Sequence, residues 1–175
     1  MMNLSKFRSW AIVLPLLLMS RAGFAQDDAI GKFFNKYVDD DRFSVVTVSP
    51  RMFQLLAKVD WDTVAPDIKQ TVSRLTSLRI LSTSTTPMQF YKEALAKIDR
   101  KEYEELLTVR SNKDDAHFLI RSAGNKVLEL VMIAASEDSF TLLSFVGDID
   151  LKALSRLSGD IGIKGMENLK NAKRP

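Results

Sequence analysis

The chain has 175 residues, 46% of them hydrophobic, with 25 basic and 22 acidic side chains and no cysteine. That is one domain's worth of chain, long enough to bury a core without staples, and the missing thiol excludes disulfides, cysteine nucleophiles and lipid attachment through a cysteine. The formal charge of +3 comes from Lys6, Arg8 and Arg21, so residues 26–175 carry 22 basic against 22 acidic groups and present no net basic field to a nucleic acid.

The first residues read as an export signal. Lys6 and Arg8 precede the apolar run WAIVLPLLLM at 10–19, and RAGFAQDD then places the small residues Gly23 and Ala25 at the third-last and last positions before a cut. This is the pattern of a secretory signal cleaved after Ala25. The run is shorter than the about 20 apolar residues a membrane span needs, which argues against an uncleaved anchor. The expected organisation is residues 1–25 as signal, 26–158 as a single α+β domain and 159–175 as a flexible tail. The expected location is the periplasm or the outer-membrane periphery, without lipoprotein anchoring and with no transmembrane span after signal cleavage.

Asp27 and Asp28 put acids at the positive end of a first helix, in which Ile30, Phe33, Phe34, Tyr37 and Val38 form one apolar stripe. DDDR at 39–42 breaks the pattern, and FSVVTVS at 43–49 is β-branched and predicts a strand. Ser49 is a natural N-cap and Pro50 a natural first helical residue, with Met52, Leu55, Leu56 and Val59 at helical spacing after them. A break at DWDTVAPD precedes another short helix from Pro66, whose Val72 and Leu75 share a face with Val64 and Ile68. SLRILST at 77–83 predicts a second strand. Thr86 and Pro87 then open the clearest helix, with Phe90, Tyr91, Ala94, Leu95 and Ile98 inside.

After Tyr103 the character changes. YEELLTVR, AHFLIRS, KVLELVMIAA and SFTLLSFV are short strand-like runs separated by SNKDD, AGN and SED. Breaks of that kind suit hairpins, so these runs form an antiparallel meander. The earlier strands alternate with helices and call for crossover connections. The expected fold is thus α+β: a four-strand C-terminal meander plus two N-terminal strands, packed against about four to five helices as layers.

The same residues offer candidate sites. Asp148 and Asp150, after Gly147, read either as a pair of functional carboxylates or as caps on the helix DLKALSRL; aspartate before an apolar periodic run favours capping. The triplet Asp39, Asp40 and Asp41 lacks the further oxygen-ligand spacing of a calcium loop. His117, the single histidine, has no cysteine or second histidine for a zinc site, and no G-x-S-x-G supplies a nucleophile for it. Neither a P-loop nor a G-x-G-x-x-G follows a strand. No catalytic residue, metal or cofactor is assigned.

The last strands depart from simple alternation. In VLELVMIAA, Leu128, Leu130 and Met132 show on one side and Val127, Val131 and Ile133 on the other; in FTLLSFV, Phe140, Leu142 and Val146 oppose Leu143 and Phe145. A sheet covered on one face alternates apolar and polar. Something must therefore shield both faces of this one: the protein's own helices, a partner or an apolar ligand. Leu128, Leu130, Met132, Leu143 and Phe145 are the candidate binding surface.

The run from YEELLTVR to GDIDLKALSRL resembles the domain of unknown function 4252 family, small exported proteins found mainly in Bacteroidetes. The resemblance rests on YEEL, NKVLELVMIAASED and the closing GDIDLKALSRL, with LRILST also fitting. It implies an exported α+β protein and carries no activity or catalytic residue with it. Many members have a lipobox cysteine that this chain lacks.

The function expected is that of a non-catalytic envelope module binding another protein or an apolar segment. A metal-assisted hydrolase using Asp148, Asp150 and His117, or a periplasmic lipid carrier, are the alternatives. The expected partner is an envelope protein or a hydrophobic ligand, with no nucleic acid and no nucleotide.

Overall fold

A computed structural model describes residues 29–59 and 66–152. The expected acidic start at Asp27 and Asp28, the break at 60–65, the helix beyond Lys152 and the tail at 159–175 lie outside the described residues.

Helix α1 (Ala29–Tyr37) buries Ile30, Phe33, Phe34 and Tyr37. Val38, read from its spacing as part of that stripe, is exposed, because the helix ends one residue earlier. A tight turn follows in which the Asp40 carbonyl accepts from the Phe43 N–H at 2.9 Å. It delivers the chain to strand β1 (Ser44–Val48).

Ser49 then caps α2 (Pro50–Leu56) as its sequence demands: its extended backbone lets the hydroxyl accept from the Met52 N–H, with Pro50 at the first helical position. The buried side of α2 is Phe53, with Leu56 half-buried, whereas Met52, Leu55 and Val59 face solvent. Helix α3 (Pro66–Arg74) runs directly into β2 (Leu75–Thr83).

Helix α4 (Pro87–Lys97) buries Phe90, Tyr91 and Ala94. Thr86 precedes it but does not cap it through its hydroxyl. The residue sits in the left-handed region at φ 43, and its carbonyl, not its side chain, accepts from the Gln89 N–H at 3.0 Å.

The meander follows as β3 (Glu104–Arg110), β4 (Asp114–Ala123), β5 (Lys126–Ser136) and β6 (Phe140–Ile149). Side-chain hydroxyls close two of its turns: Ser111 Oγ accepts from the Lys113 and Asp114 N–H groups, and Ser136 Oγ from those of Asp138 and Ser139. Between β4 and β5 the loop is Gly124–Asn125, where Gly124 at φ 57 supplies the positive φ that a two-residue hairpin requires.

All the strands among the described residues join one six-stranded sheet, in the order β1-β2-β6-β5-β4-β3, every neighbouring pair antiparallel. The meander and the early strands are therefore one sheet, with four helices among the described residues. Only one of the expected crossovers exists. Strands β1 and β2 are antiparallel neighbours, so α2 and α3 return the chain beside the strand it left. Strands β2 and β3 run the same way from opposite halves of the sheet, and α4 crosses a face between them, packing on β5 and β6.

Both faces are covered. Leu81, Leu119, Val131, Ile133, Phe140 and Leu142 pack with α1 and α4. Phe118, Ile120, Leu130, Met132, Leu143 and Phe145 pack in a second cluster that includes Phe53 of α2 and Val72 of α3. On this second face a row of paired apolar side chains, Val46, Ile80, Leu143, Met132, Phe118 and Leu107, runs across the whole sheet. Phe118, Leu130, Met132 and Leu143 are within about 1% of full burial. Apolar burial of this kind stabilises the fold by roughly 1.5–3 kcal/mol per side chain.

Candidate functional site

The five residues singled out as a surface separate in the structure. Leu130, Met132, Leu143 and Phe145 are buried in the α2/α3-side core. Leu128 leaves that set. A bulge between Val127 and Glu129 shifts the register against β6, so Val127 joins the α2/α3-side cluster and Leu128 turns toward α1 and α4. Bulges re-aim single side chains in this way, and period-two reading of the sequence cannot anticipate them.

Asp148 and Asp150 serve different contacts. Strand β6 continues through Gly147 to Ile149, so Asp148 is a strand residue, set between Lys126 at 3.4 Å and Arg74 at 3.9 Å. Asp150 follows the strand, and its Oδ1 accepts from the Lys152 N–H at 2.9 Å. Gly147, at φ 152, pairs with Leu75, and a Cβ there would run into the Arg74 carbonyl oxygen. The glycine is thus needed for close strand approach rather than for a turn.

His117 lies on β4 facing α4. Its Nδ1 is 3.1 Å from Glu105 Oε1 and 3.2 Å from Thr108 Oγ1, and its ring is 6.0 Å from that of Tyr91. The Tyr91 hydroxyl beside it is buried without a hydrogen-bond partner among the described residues. Burial, then the Asp115 carboxylate, push its pKa up. His117 and Asp148 belong to different strands and different neighbourhoods, and the structure does not bring them together. Among the described residues, no three His, Cys, Asp or Glu side chains are grouped to hold a metal ion.

Of the acidic triplet, Asp40 is committed to Arg42. Its two oxygens accept from Nε at 2.9 Å and Nη2 at 2.6 Å, and Oδ1 also accepts the Arg42 backbone N–H at 3.0 Å. The Arg42 guanidinium holds the Asp40 carboxyl down at about 2.

The most concentrated polar chemistry lies where the sequence looked greasiest. Glu129, fully buried in β5, accepts from Arg121 Nε and Nη2 at 3.1 and 3.0 Å, from the Tyr103 hydroxyl at 2.9 Å and from the Ser144 hydroxyl at 2.8 Å. Burial alone would lower the Arg121 pKa, but the contacts with Glu129 hold it above its usual value. The carboxylate's lone pairs are taken by fixed donors, which suits a structural ion pair better than a proton-transfer group. A single acid inside an apolar strand was the sequence signal for it.

Arg121 also borders a cleft of about 900 Å³ between α1, α4 and the β4–β5 turn. Lys32, Lys36 and Lys97 stand on its walls, with Phe33 and Leu128 as apolar lining. Across the cleft mouth, Lys36 Nζ pairs with Glu93 at 2.7 Å, and the Tyr37 hydroxyl donates to the other Glu93 oxygen at 2.7 Å.

The sheet edges differ in character. Strand β3 carries Glu104, Glu105 and Arg110 and a bulge after Glu105, features that blunt an edge against further pairing. Strand β1 reads SVVTV, without a charge, a proline or a bulge. Within it, Val46 is 45% exposed; Met52 and Leu55 of α2, and Val59 after it, are exposed to a similar degree. Val46 shares its sheet face with Val48, which packs in the same cluster as Phe53 and Leu56 of α2.

Among the described residues, fold and surface define an α+β protein with a doubly covered antiparallel sheet, one strand edge without charge, proline or bulge, and no metal cluster. A family model described as a domain of unknown function (DUF4252) matches residues 37–157. The chain belongs to that family. Searches of curated proteins and of solved structures returned no match. Among the described residues no helix is long and apolar enough to cross a membrane.

Proposed function

We propose that this is an exported envelope protein that works by binding, adding an extended apolar segment of a partner protein to the free edge of β1. The observation that carries this reading is an uncharged edge strand with a half-exposed Val46, on the sheet face that also carries α2, whose Met52 and Leu55 are exposed. Edge strands that lack charges, proline and bulges are open to pairing. A segment laid antiparallel or parallel to β1 would gain main-chain hydrogen bonds from the strand. Its alternate side chains would fall beside Val46, on the sheet face that also carries α2. Export is supported by Lys6 and Arg8 before an apolar run that ends in small residues at Gly23 and Ala25. The periplasm or outer-membrane periphery is the compartment proposed.

The test introduces a charge at the edge. Val46→Lys sits on a half-exposed position, so stability changes by no more than about 0.5 kcal/mol. Cross-linking to the partner segment in the native envelope is lost. A Val46→Lys protein that stays folded and cross-links to the same partner peptide as the wild type overturns the reading.

A further inference from the structure

The cleft on the opposite face of the sheet from α2 has a chemistry of its own. Its cations come from separate parts of the chain: Lys32 and Lys36 a helical turn apart on α1, Lys97 in the last turn of α4, Lys101 in the following loop and Arg121 on β4. Like charges drawn together repel unless something answers them. Within the protein the answer is partial. Lys36 is matched by Glu93 and Arg121 by Glu129. Lys97 exerts only a weaker pull on Glu93. Lys32, Lys97 and Lys101 have no ion pair among the described residues. The wall's other carboxylates are Asp99, which accepts the Lys101 backbone N–H at 2.8 Å, and the exposed Glu102, so five cations face three acids there.

The apolar part of the lining is equally specific. The bulge in β5 takes Leu128, a large aliphatic side chain, out of the core row and presents it to this cleft beside Phe33. Leu128 is half-buried there and gives the lysine-rimmed hollow an apolar wall. The geometry points to a binding site for a small anionic amphiphile: a phosphate or carboxylate head answered by Lys32 and Lys97, with a short apolar chain against Leu128 and the small part of Phe33, 3% exposed, that reaches the cleft. The volume of about 900 Å³ is within the range of small-ligand sites. This site lies on the α1/α4 side of the sheet and is independent of the β1 edge.

Titration calorimetry of the exported full chain with dodecyl phosphate, kept below its micelle concentration, tests the assignment, with inorganic phosphate as the head group alone. Saturable binding of one dodecyl phosphate per chain is expected, with inorganic phosphate weaker by about tenfold or more, since the apolar contacts are missing. Replacing both Lys32→Gln and Lys97→Gln should weaken dodecyl phosphate by at least about tenfold, the worth of one charge-assisted contact, while the thermal melt stays in place. Leu128→Asp should weaken it as well. Flotation with phosphatidylglycerol vesicles then assigns the head group to a bilayer lipid if the chain floats, and to a free amphiphile if it does not. No saturable heat with dodecyl phosphate overturns the assignment. So does binding that the lysine and Leu128 variants leave unchanged.

Discussion

The Arg121 guanidinium meets the fully buried Glu129 carboxylate at 3.0 Å, in a strand whose other inward side chains are aliphatic. Taking a carboxylate out of water costs several kcal/mol, and only matched donors offset it. Here Arg121, Tyr103 and Ser144 supply them from β4, the residue just before β3, and β6. Glu129→Leu should therefore destabilise the fold by about 3 kcal/mol, because it leaves Arg121 without its carboxylate. Ser144→Ala should cost about 1 kcal/mol, the net worth of one hydrogen bond. The double change Arg121→Met with Glu129→Leu should recover much of the single loss. Urea unfolding of the set measures all three, and a Glu129→Leu protein as stable as the wild type would falsify the ion pair's structural role.

A second comparison separates core from surface. Met132→Ser removes a buried side chain from the row that crosses the sheet and should cost about 3 kcal/mol or more, combining lost transfer energy with a cavity and a buried hydroxyl. Met52→Ser and Leu55→Ser, on the exposed side of α2, should each stay within about 0.5 kcal/mol. Thermal melts of the variants read the difference directly. Equal losses would place α2's outer face inside the core.

Gly147 provides a backbone test. At φ 152, and with the Arg74 carbonyl where a Cβ would stand, Gly147→Ala must either push β2 from β6 or twist the strand. The expected cost is about 2 kcal/mol, the scale of strain at a glycine-only position. A neutral Gly147→Ala would show that β2 and β6 do not approach so closely.

Asp40 gives a pH dependence whose sign is fixed. Its carboxyl titrates at about 2 beside Arg42, below the ordinary 3.8, so folding favours the ionised form. That contribution is present above pH 3.8, fades as pH falls through about 2, and is small because the group is exposed. Carbon-detected NMR titration should find the Asp40 midpoint near 2, moving toward 3.8 in Arg42→Ala. An unchanged midpoint in that variant would remove Arg42 as the cause.

Much of this architecture was legible in residue order. The α1 stripe, the Ser49–Pro50 start of α2, the hairpin breaks and the greasy double face of β5 and β6 all depend on neighbours a few residues away, where period and capping chemistry act. What was hidden depends on partners far along the chain. Nothing local says that β2 pairs with β6 and closes both strand groups into one sheet. Nothing local separates Met52 and Leu55 from Phe53 and Leu56 on a helix only two turns long, since the choice of buried side is made by β2 and α3. The bulge that turns Leu128 over, and with it the cleft lining, belongs to the β5–β6 register. Lys32, Lys97 and Arg121 line one cleft only because α1, α4 and β4 border it together.

The central claim is that β1 and the outer face of α2 receive a partner segment. Site-specific photocross-linking in living cells tests it most directly, with a benzophenone side chain at position 46 or 55 and a control at position 113, in the turn at the opposite edge of the sheet. The account predicts a discrete adduct from positions 46 and 55, mapping to one extended apolar stretch of a partner, and none from 113. The same adducts from all three positions, or none from 46 and 55, would contradict it.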